Sequence, residues 1–376
     1  MIPVNEPRLD GRELEYVTEC LKTGWISSAG RFIPRFEESW AAYCGRRYGV
    51  AVCNGTVALQ LAVASLDLAP GDEVIMPSFT IISCAMAVVY QGGVPVLVDS
   101  DPATWGMDVS RVEARITPRT RAIMPVHIYG HPVDMDPLLE IAEKHGLVII
   151  EDAAEAHGAE YLSTRGSEPI WRRCGSFGDL SCFSFFANKV VTSGEGGMVV
   201  TDDEALANRL GRLRNLAFIP ERRFRHEELG FNFRMTNVQA AIGQAQVERI
   251  DDTVARKRHV GTRYLQELAS VPGIRLQPEQ PWARSVRWMN GLVLDPSSGH
   301  TALSLALSLA ELGVETRPFF LGMDRQPALR AHGWFAGESY PVADELAEMG
   351  LYLPSGVTLT EEQQSTVIAA VKQVLQ

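Results

Sequence analysis

Three short segments of this chain carry residue types whose spacing suits chemistry on a small ligand. The most specific is Ser181-Cys-Phe-Ser-Phe-Phe-Ala-Asn-Lys189, followed by the glycine-rich Thr192-Ser-Gly-Glu-Gly-Gly197. A lysine directly after an apolar, aromatic-rich strand is poorly placed for a solvated surface charge. Desolvation there depresses its pKa and makes the neutral amine available as a nucleophile. Ser184, five residues earlier, offers a hydroxyl to a phosphate. In the second segment, Glu151-Asp152 ends the apolar run Leu147–Ile150 and precedes Ala153-Ala-Glu155-Ala-His157-Gly158. An acidic residue at that point suits a metal ligand, a general base, a partner for a protonated ring nitrogen, or the N-cap of a following helix. The third, Asn54-Gly55-Thr56, lies between an apolar run and a helical stretch. It reads either as an ordinary helix cap or as a phosphate cradle built from backbone N–H groups and the helix dipole.

Apart, each segment is ambiguous. Together they offer an amine for an aldehyde, a carboxylate for a pyridinium and a helix start for a phosphate, the three anchors that pyridoxal 5'-phosphate (PLP) needs. Other chemistries lose their usual support, because the chain has no G-x-S-x-G, no H-E-x-x-H, no Walker loop and no G-x-G-x-x-G opening a helix. Six cysteines (Cys20, Cys44, Cys53, Cys84, Cys174, Cys182) are scattered without a C-x-x-C pair. That pattern favours reduced thiols over a disulfide framework or a zinc site, so no metal is expected. The net charge of -11 argues against a partner made of nucleic acid. The N-terminal Met1-Ile-Pro-Val-Asn-Glu-Pro has no basic flank and no apolar core, and no apolar run approaches the roughly 18 residues of a membrane span. A cytoplasmic location away from membranes is the expectation.

The elements that must position these residues are legible in the hydrophobic pattern. Tyr48–Val52, Glu73–Met76, Val94–Val98, Arg121–Val126, Leu147–Ile150, Ser181–Phe185 and Met198–Thr201 read as short strands. Thr56–Leu68 and Met135–His145 read as helices between them. Alternation of this kind implies an α/β fold with a mostly parallel sheet covered by helices on both faces, which also explains why the strands are continuously apolar. Residues 237–268 read as one long helix, followed by a strand (Met289–Leu294), a helix (Thr301–Leu312), a strand (Val314–Arg317) and a last helix opened by Thr360. At 376 residues, with 46% hydrophobic and 22% charged, the chain suits two globular domains. The division expected is a large ligand-binding domain over residues 1–245 and a small C-terminal α/β domain over 246–376.

Thr23-Gly-Trp-Ile-Ser-Ser, Asn54-Gly-Thr-Val-Ala-Leu, Gly71-Asp-Glu-Val-Ile-Met-Pro, Pro125-Val-His-Ile-Tyr-Gly130, Glu151-Asp-Ala-Ala-Glu-Ala, Phe183-Ser-Phe-Phe-Ala-Asn-Lys189 and Phe231-Asn-Phe-Arg-Met-Thr-Asn237 resemble the DegT/DnrJ/StrS-type sugar aminotransferases over nearly the whole chain. The resemblance implies PLP-dependent transferase fold type I, the aspartate-aminotransferase architecture. Phe183-Ser-Phe-Phe, Thr192-Ser-Gly-Glu-Gly-Gly-Met, Arg234-Met-Thr-Asn and Thr316-Arg-Pro-Phe-Phe resemble in particular the members that aminate C4 of GDP-4-keto-6-deoxymannose. It implies that Lys189 forms the Schiff base with PLP and then moves a proton, and that Asp152 pairs with the pyridinium nitrogen. Glu155 stands where many members carry a glutamine near the cofactor's phenolic oxygen. Gly55, Thr56 and Ser184 are implied to hold the phosphate. Asn232 is implied to reach the cofactor phosphate of a second subunit, which makes a homodimer with shared active sites the expected assembly. His127, Tyr129, Asn188, Glu195 and Arg317 are the candidates for the sugar pocket, with L-glutamate as amino donor and a nucleotide-linked keto-sugar as acceptor.

Two departures from the family pattern stand out. In Pro77-Ser-Phe-Thr-Ile-Ile the position after the threonine is Ile81, where an aromatic residue usually covers the cofactor ring, so either Ile81 or Phe79 takes that role. The segment from Tyr161 to Cys174 is longer than usual and reads as a decorated surface loop, or as a carrier of Arg172 and Arg173 for a nucleotide diphosphate. Two other readings stand beside the nucleotide-sugar one: transfer to another keto-sugar or a cyclitol ketone, and a PLP-binding regulator without turnover.

Overall fold

The computed structural model describes residues 1–219, 222 and 224–375. Its centre is a seven-stranded sheet in the order β1-β9-β8-β5-β4-β2-β3. The strands are β1 (Tyr48–Val52), β2 (Glu73–Pro77), β3 (Val94–Val98), β4 (Thr120–Ile123), β5 (Val148–Asp152), β8 (Leu180–Ser184) and β9 (Gly197–Thr201), with β6 (Glu160–Ser163) and β7 (Ile170–Arg173) set apart. All neighbours from β8 through β5, β4 and β2 to β3 pair in parallel, and β9 runs against both β8 and β1. The strands are apolar at consecutive positions because alternate residues enter different cores. Val74, Met76, Ala122 and Ile150 pack into one core, and Ile75, Ile123 and Ile149 into another with Leu138 and Ala142. Burial on both faces is what a helix-covered parallel sheet requires.

Helices α1 (Glu13–Thr23), α2 (Phe32–Cys44), α3 (Gly55–Ala64), α4 (Ser83–Val89), α5 (Met135–His145) and α6 (Glu204–Leu213) accompany this sheet. Residues 237–268, expected as one helix, form α7 (Asn237–Val247) and α8 (Ile250–Leu268). The break is at Arg249, whose backbone leaves the helical region (φ -131°, ψ 20°) while its guanidinium pairs with Asp10 and the carbonyl of Arg8. A tertiary ion pair of this kind has no signature in helical periodicity.

The C-terminal part carries an antiparallel sheet of β10 (Ile274–Leu276), β12 (Asn290–Leu294), β14 (Gly350–Leu353) and β13 (Arg317–Pro318), while β11 (Ala283–Arg284) lies elsewhere. Helices α9 (Ala302–Glu311), α10 (Pro327–Arg330), α11 (Pro341–Met349) and α12 (Glu361–Leu375) complete it. The strand expected at Val314–Arg317 begins only at Arg317. Val314 instead bridges Ile2, so the first residues of the chain lie against the C-terminal part. The segment from Tyr161 to Cys174, expected as a surface loop, lies for the most part in the β6–β7 hairpin, which joins β11 in a three-stranded sheet. Among the described residues no helix is long and apolar enough to cross a membrane, and no group of three or more His, Cys, Asp or Glu is placed to hold a metal ion. All six cysteines are free.

Where α8 meets the C-terminal sheet, Lys257 is fully enclosed and donates to the carbonyl oxygens of Trp288 (2.5 Å) and Ser355. Two carbonyls match the two N–H bonds of a neutral amine, and burial pushes the pKa down from 10.5 to about 7. The unfolded chain therefore holds a proton that the folded one releases. Between about pH 7 and 10.5 this group makes stability rise with pH. Lys257→Met removes that slope and leaves two carbonyls unpaired, at about 1–3 kcal/mol. Thermal unfolding should show a larger loss near pH 9 than near pH 6; equal losses at both would contradict the buried neutral amine.

Candidate active site

The ends of β5, β8 and the start of β9 meet the start of α3, which brings the three chemical segments together. Asn54 caps α3, its side-chain oxygen accepting from the Val57 N–H at 3.0 Å. The cap and the phosphate cradle are thus compatible, since the N–H groups of Gly55 and Thr56 lie ahead of the capped one. Gly55 has to be glycine: a Cβ there would lie 2.5 Å from Cβ of Ser184. The same holds for Gly197, where a Cβ would lie 2.3 Å from the Asn54 carbonyl oxygen. These close approaches bring Ser184 to the helix start.

Successive strand residues face opposite ways, and the Glu151-Asp152 pair separates accordingly. Glu151 is sealed in the interior, accepting from the N–H groups of Gly175, Phe177 and Gly178 and from the Ser181 hydroxyl. Asp152 faces a cavity of about 570 Å³. One of its oxygens accepts from the Ala154 N–H at 3.0 Å and the other from the Cys84 thiol at 3.1 Å. Burial pushes the Cys84 thiol well above its ordinary pKa, so it stays protonated and donates. Asp152 is followed by turns and then β6, so it caps no helix.

The same cavity is lined by Gly55, Thr56, Ile81, Glu155, Ser184, Asn188, Lys189 and Glu195 from the sheet side, and by Trp288, Phe320 and Tyr352 from the C-terminal part. Lys189 Nζ lies 3.7 Å from Oε1 of Glu155 and 3.9 Å from the centre of the Trp288 ring. Burial lowers the pKa of this amine, and the neighbouring Glu155 and Asp152 only partly oppose the shift. Burial also pushes the Glu155 carboxyl up to about 7, against the pull of Lys189 and of the Tyr129 N–H, which donates to it at 2.7 Å. A buried amine of lowered pKa, a carboxylate anchored by two donors and a helix start with no room for a side chain fit the aldehyde, the pyridinium and the phosphate of PLP.

A larger depression, about 670 Å³, lies between Asp101, Glu113, Asp134 and Trp282 and contains no residue of these segments.

A sequence profile of the DegT/DnrJ/EryC1/StrS aminotransferase family matches residues 7–372. A GDP-perosamine synthase of Caulobacter vibrioides is 47% identical over 375 residues, covering 100% of this chain and 98% of that protein. A GDP-perosamine synthase of Escherichia coli O157:H7 is 41% identical over 362 residues, 96% of this chain and 95% of that one. Among solved structures, S. venezuelae DesV superposes with a TM-score of 0.88 at 37% identity, covering 97% of this chain and 94% of its own.

The chain belongs to the DegT/DnrJ/EryC1/StrS aminotransferase family. It is a PLP-dependent sugar aminotransferase of α/β fold type I.

Not every residue expected at its site lies there. His127 of the aminotransferase is fully buried, with Nε2 3.0 Å from Glu151 and Nδ1 accepting from the Val133 N–H at 3.0 Å. Both ring nitrogens are committed to the interior, so the ring does not line the cavity. Tyr129 is likewise enclosed, its ring stacked behind those of Phe320 and Trp288. Arg317 sits on β13 paired with Glu315 at 2.5 Å, outside the cavity lining. Of the two candidates to cover the ring, Ile81 lines the cavity, whereas Phe79 is packed against Tyr129 and Phe319.

Asn188 and Glu195 do line the cavity. Asn232 of the aminotransferase lies outside its own chain's cavity, exposed, accepting from Arg234 at 2.9 Å. Arg172 donates to the Ser176 carbonyl and lies over the Phe177 ring, and Arg173 donates to the Tyr43 carbonyl and lies over its ring. Both guanidinium groups are used in fastening the β6–β7 hairpin. Cys84, Trp288, Phe320 and Tyr352 were not foreseen. No motif spacing marks them; only packing brings Cys84 to Asp152 and the three aromatic rings to the cavity wall.

Proposed function

We propose that this sugar aminotransferase moves an amino group from L-glutamate to the C4 ketone of a GDP-linked 4-keto-6-deoxysugar, as a cytoplasmic homodimer. The arrangement that carries this reading is Lys189, Asp152 and the Gly55 helix start converging on one cavity. The nature of the acceptor is supported by the likeness to the two GDP-perosamine synthases over nearly their full lengths.

PLP, when bound, supplies an electron sink for the bond broken at the substrate carbon. Asp152 holds a proton on the ring nitrogen, and the Cys84 thiol fixes the orientation of that carboxylate. Gly55, Thr56 and Ser184 bind the phosphate through N–H and O–H donors. Lys189 moves the proton between the substrate carbon and cofactor carbon C4′, a task that the lowering of its pKa by burial favours. Ile81 covers the ring by apolar contact. Asn188 and Glu195, at the cavity wall and rim, orient the sugar. Trp288, Phe320 and Tyr352 close the other side and exclude water, which strengthens the charge interactions within. Asn232, exposed on each chain, reaches the phosphate bound by the second subunit.

Glu155 makes a pH prediction. A carboxyl that titrates near 7 instead of 4.5 is neutral below about pH 6 and charged above about pH 8. Glu155→Gln locks in the neutral form. The pH–rate profile of the glutamate half-reaction should then lose an inflection near 7; a profile with that inflection intact would assign it to another group.

The acceptor is tested by offering nucleotide-linked keto-sugars and cyclitol ketones to enzyme already aminated by glutamate, and following the return of the aldehyde absorbance. GDP-4-keto-6-deoxymannose is expected to restore it fastest. Restoration by a cyclitol ketone alone would overturn the proposal.

A further inference from the structure

Trp288 is built into the site more firmly than a wall residue needs to be. It is 3% exposed, its indole N–H donates to the carbonyl of Asn188 at 2.8 Å, and its own carbonyl accepts from Lys257 at 2.5 Å. The Asn188 carbonyl also accepts from the Asn5 side chain at 2.6 Å, so the residue next to Lys189 is tied to both the chain's start and its C-terminal part. Arg287, just before Trp288, and Tyr129, whose ring is nearly parallel to the indole, both have positive φ (52° and 53°). Non-glycine residues hold such a conformation only where the surroundings enforce it, and such positions gather at functional sites. The outcome of this fixing is one contact: the face of the indole against Nζ of Lys189, 3.9 Å from the ring centre.

The reaction needs two states of that amine. After leaving the cofactor it must be neutral to accept a proton from carbon, the electron pair of the C–H bond staying on the ligand. It must then persist as an ammonium ion until it returns the proton at the other carbon. The ionisable groups nearest it are Asp152 and Glu155 from the end of β5 and the turn beyond, His157 from the same turn, Cys84 from α4 and Tyr352 from β14, with Glu195 also in the cavity lining. A further carboxylate on the open side would hold the ammonium but would also compete for its proton. An aromatic face attracts the cation and cannot take the proton.

We propose that Trp288 is a positioning residue that holds the released Lys189 amine as an ammonium ion beside Glu155, and so sets how long Lys189 keeps the proton it must return. This inference rests on Lys189 being the cofactor-bearing lysine.

The test is competitive acetylation of Lys189 across pH, read by peptide mass spectrometry on the glutamate-aminated holoenzyme, where the lysine is free. Trp288→Leu should lower the titration midpoint of Lys189 by about one unit, and Trp288→Phe by less than half of that, because phenylalanine keeps a π face. Trp288→Met stands in if the leucine variant does not fold. The high-pH limb of the half-reaction profile should move by the same amount as the midpoint. An unchanged midpoint in the leucine or methionine variant would overturn the proposal. So would equal shifts in the leucine and phenylalanine variants, since the indole N–H rather than the ring would then be responsible. The underlying reading fails separately: it falls if borohydride still fixes the cofactor covalently to a Lys189→Ala chain.

Discussion

Lys189→Ala is expected to lower turnover by at least about a thousand-fold, the combined loss of a covalent anchor and a positioned proton carrier. The fold should persist, because the side chain projects into the cavity beside Glu155 and Trp288 rather than into a core cluster. Two measurements separate this from unfolding: a melting temperature close to the parent's, and loss of the visible absorbance that cofactor joined to the lysine produces. Phosphate contacts at Gly55, Thr56 and Ser184 should still retain free cofactor, more weakly. Turnover within tenfold of the parent would remove Lys189 from the role given to it.

Asp152→Asn carries the second large effect, a loss of about a hundred- to a thousand-fold in the half-reaction with glutamate, comparable to removing one preorganised charge interaction from a reacting centre. The change is nearly isosteric, yet it is unfavourable on two counts. An amide does not hold the ring nitrogen's proton as a carboxylate does. It also offers N–H to one of two partners, the Ala154 N–H and the Cys84 thiol, that are themselves donors. The covalent absorbance through Lys189 should survive, which distinguishes this variant from Lys189→Ala. A cofactor methylated on the ring nitrogen carries its charge permanently and should restore part of the rate in Asp152→Asn. Absence of any restoration would count against the pairing with the ring nitrogen.

The cavity brings some of the residues singled out by local pattern together and leaves others outside its lining. Lys189, Asp152 and Gly55 were legible because each stands at the end of an apolar strand, a few residues beyond one, or at the start of a helix, and in a parallel sheet those ends share one edge. His127 and Arg317 lie outside the lining for a common reason: a polar residue near a motif looks available until its partners are known. His127 is bound to Glu151 and the Val133 N–H, and Arg317 to Glu315. Trp288 belongs to no segment singled out by spacing, yet it lies against the amine.

Strand and helix types, the alternation that makes the sheet parallel, and the amine–carboxylate–glycine set were determined by the sequence itself, because they rest on periodicity and on neighbours a few residues apart. Tertiary structure decided the rest: the break at Arg249, the hairpin at 160–173, the choice of Ile81 over Phe79 to line the cavity, and the aromatic wall brought from the C-terminal part. Each of these depends on contacts between residues far apart in the chain. Whether a side chain meets a ligand or a core is settled by what packs opposite it, and no local pattern records that.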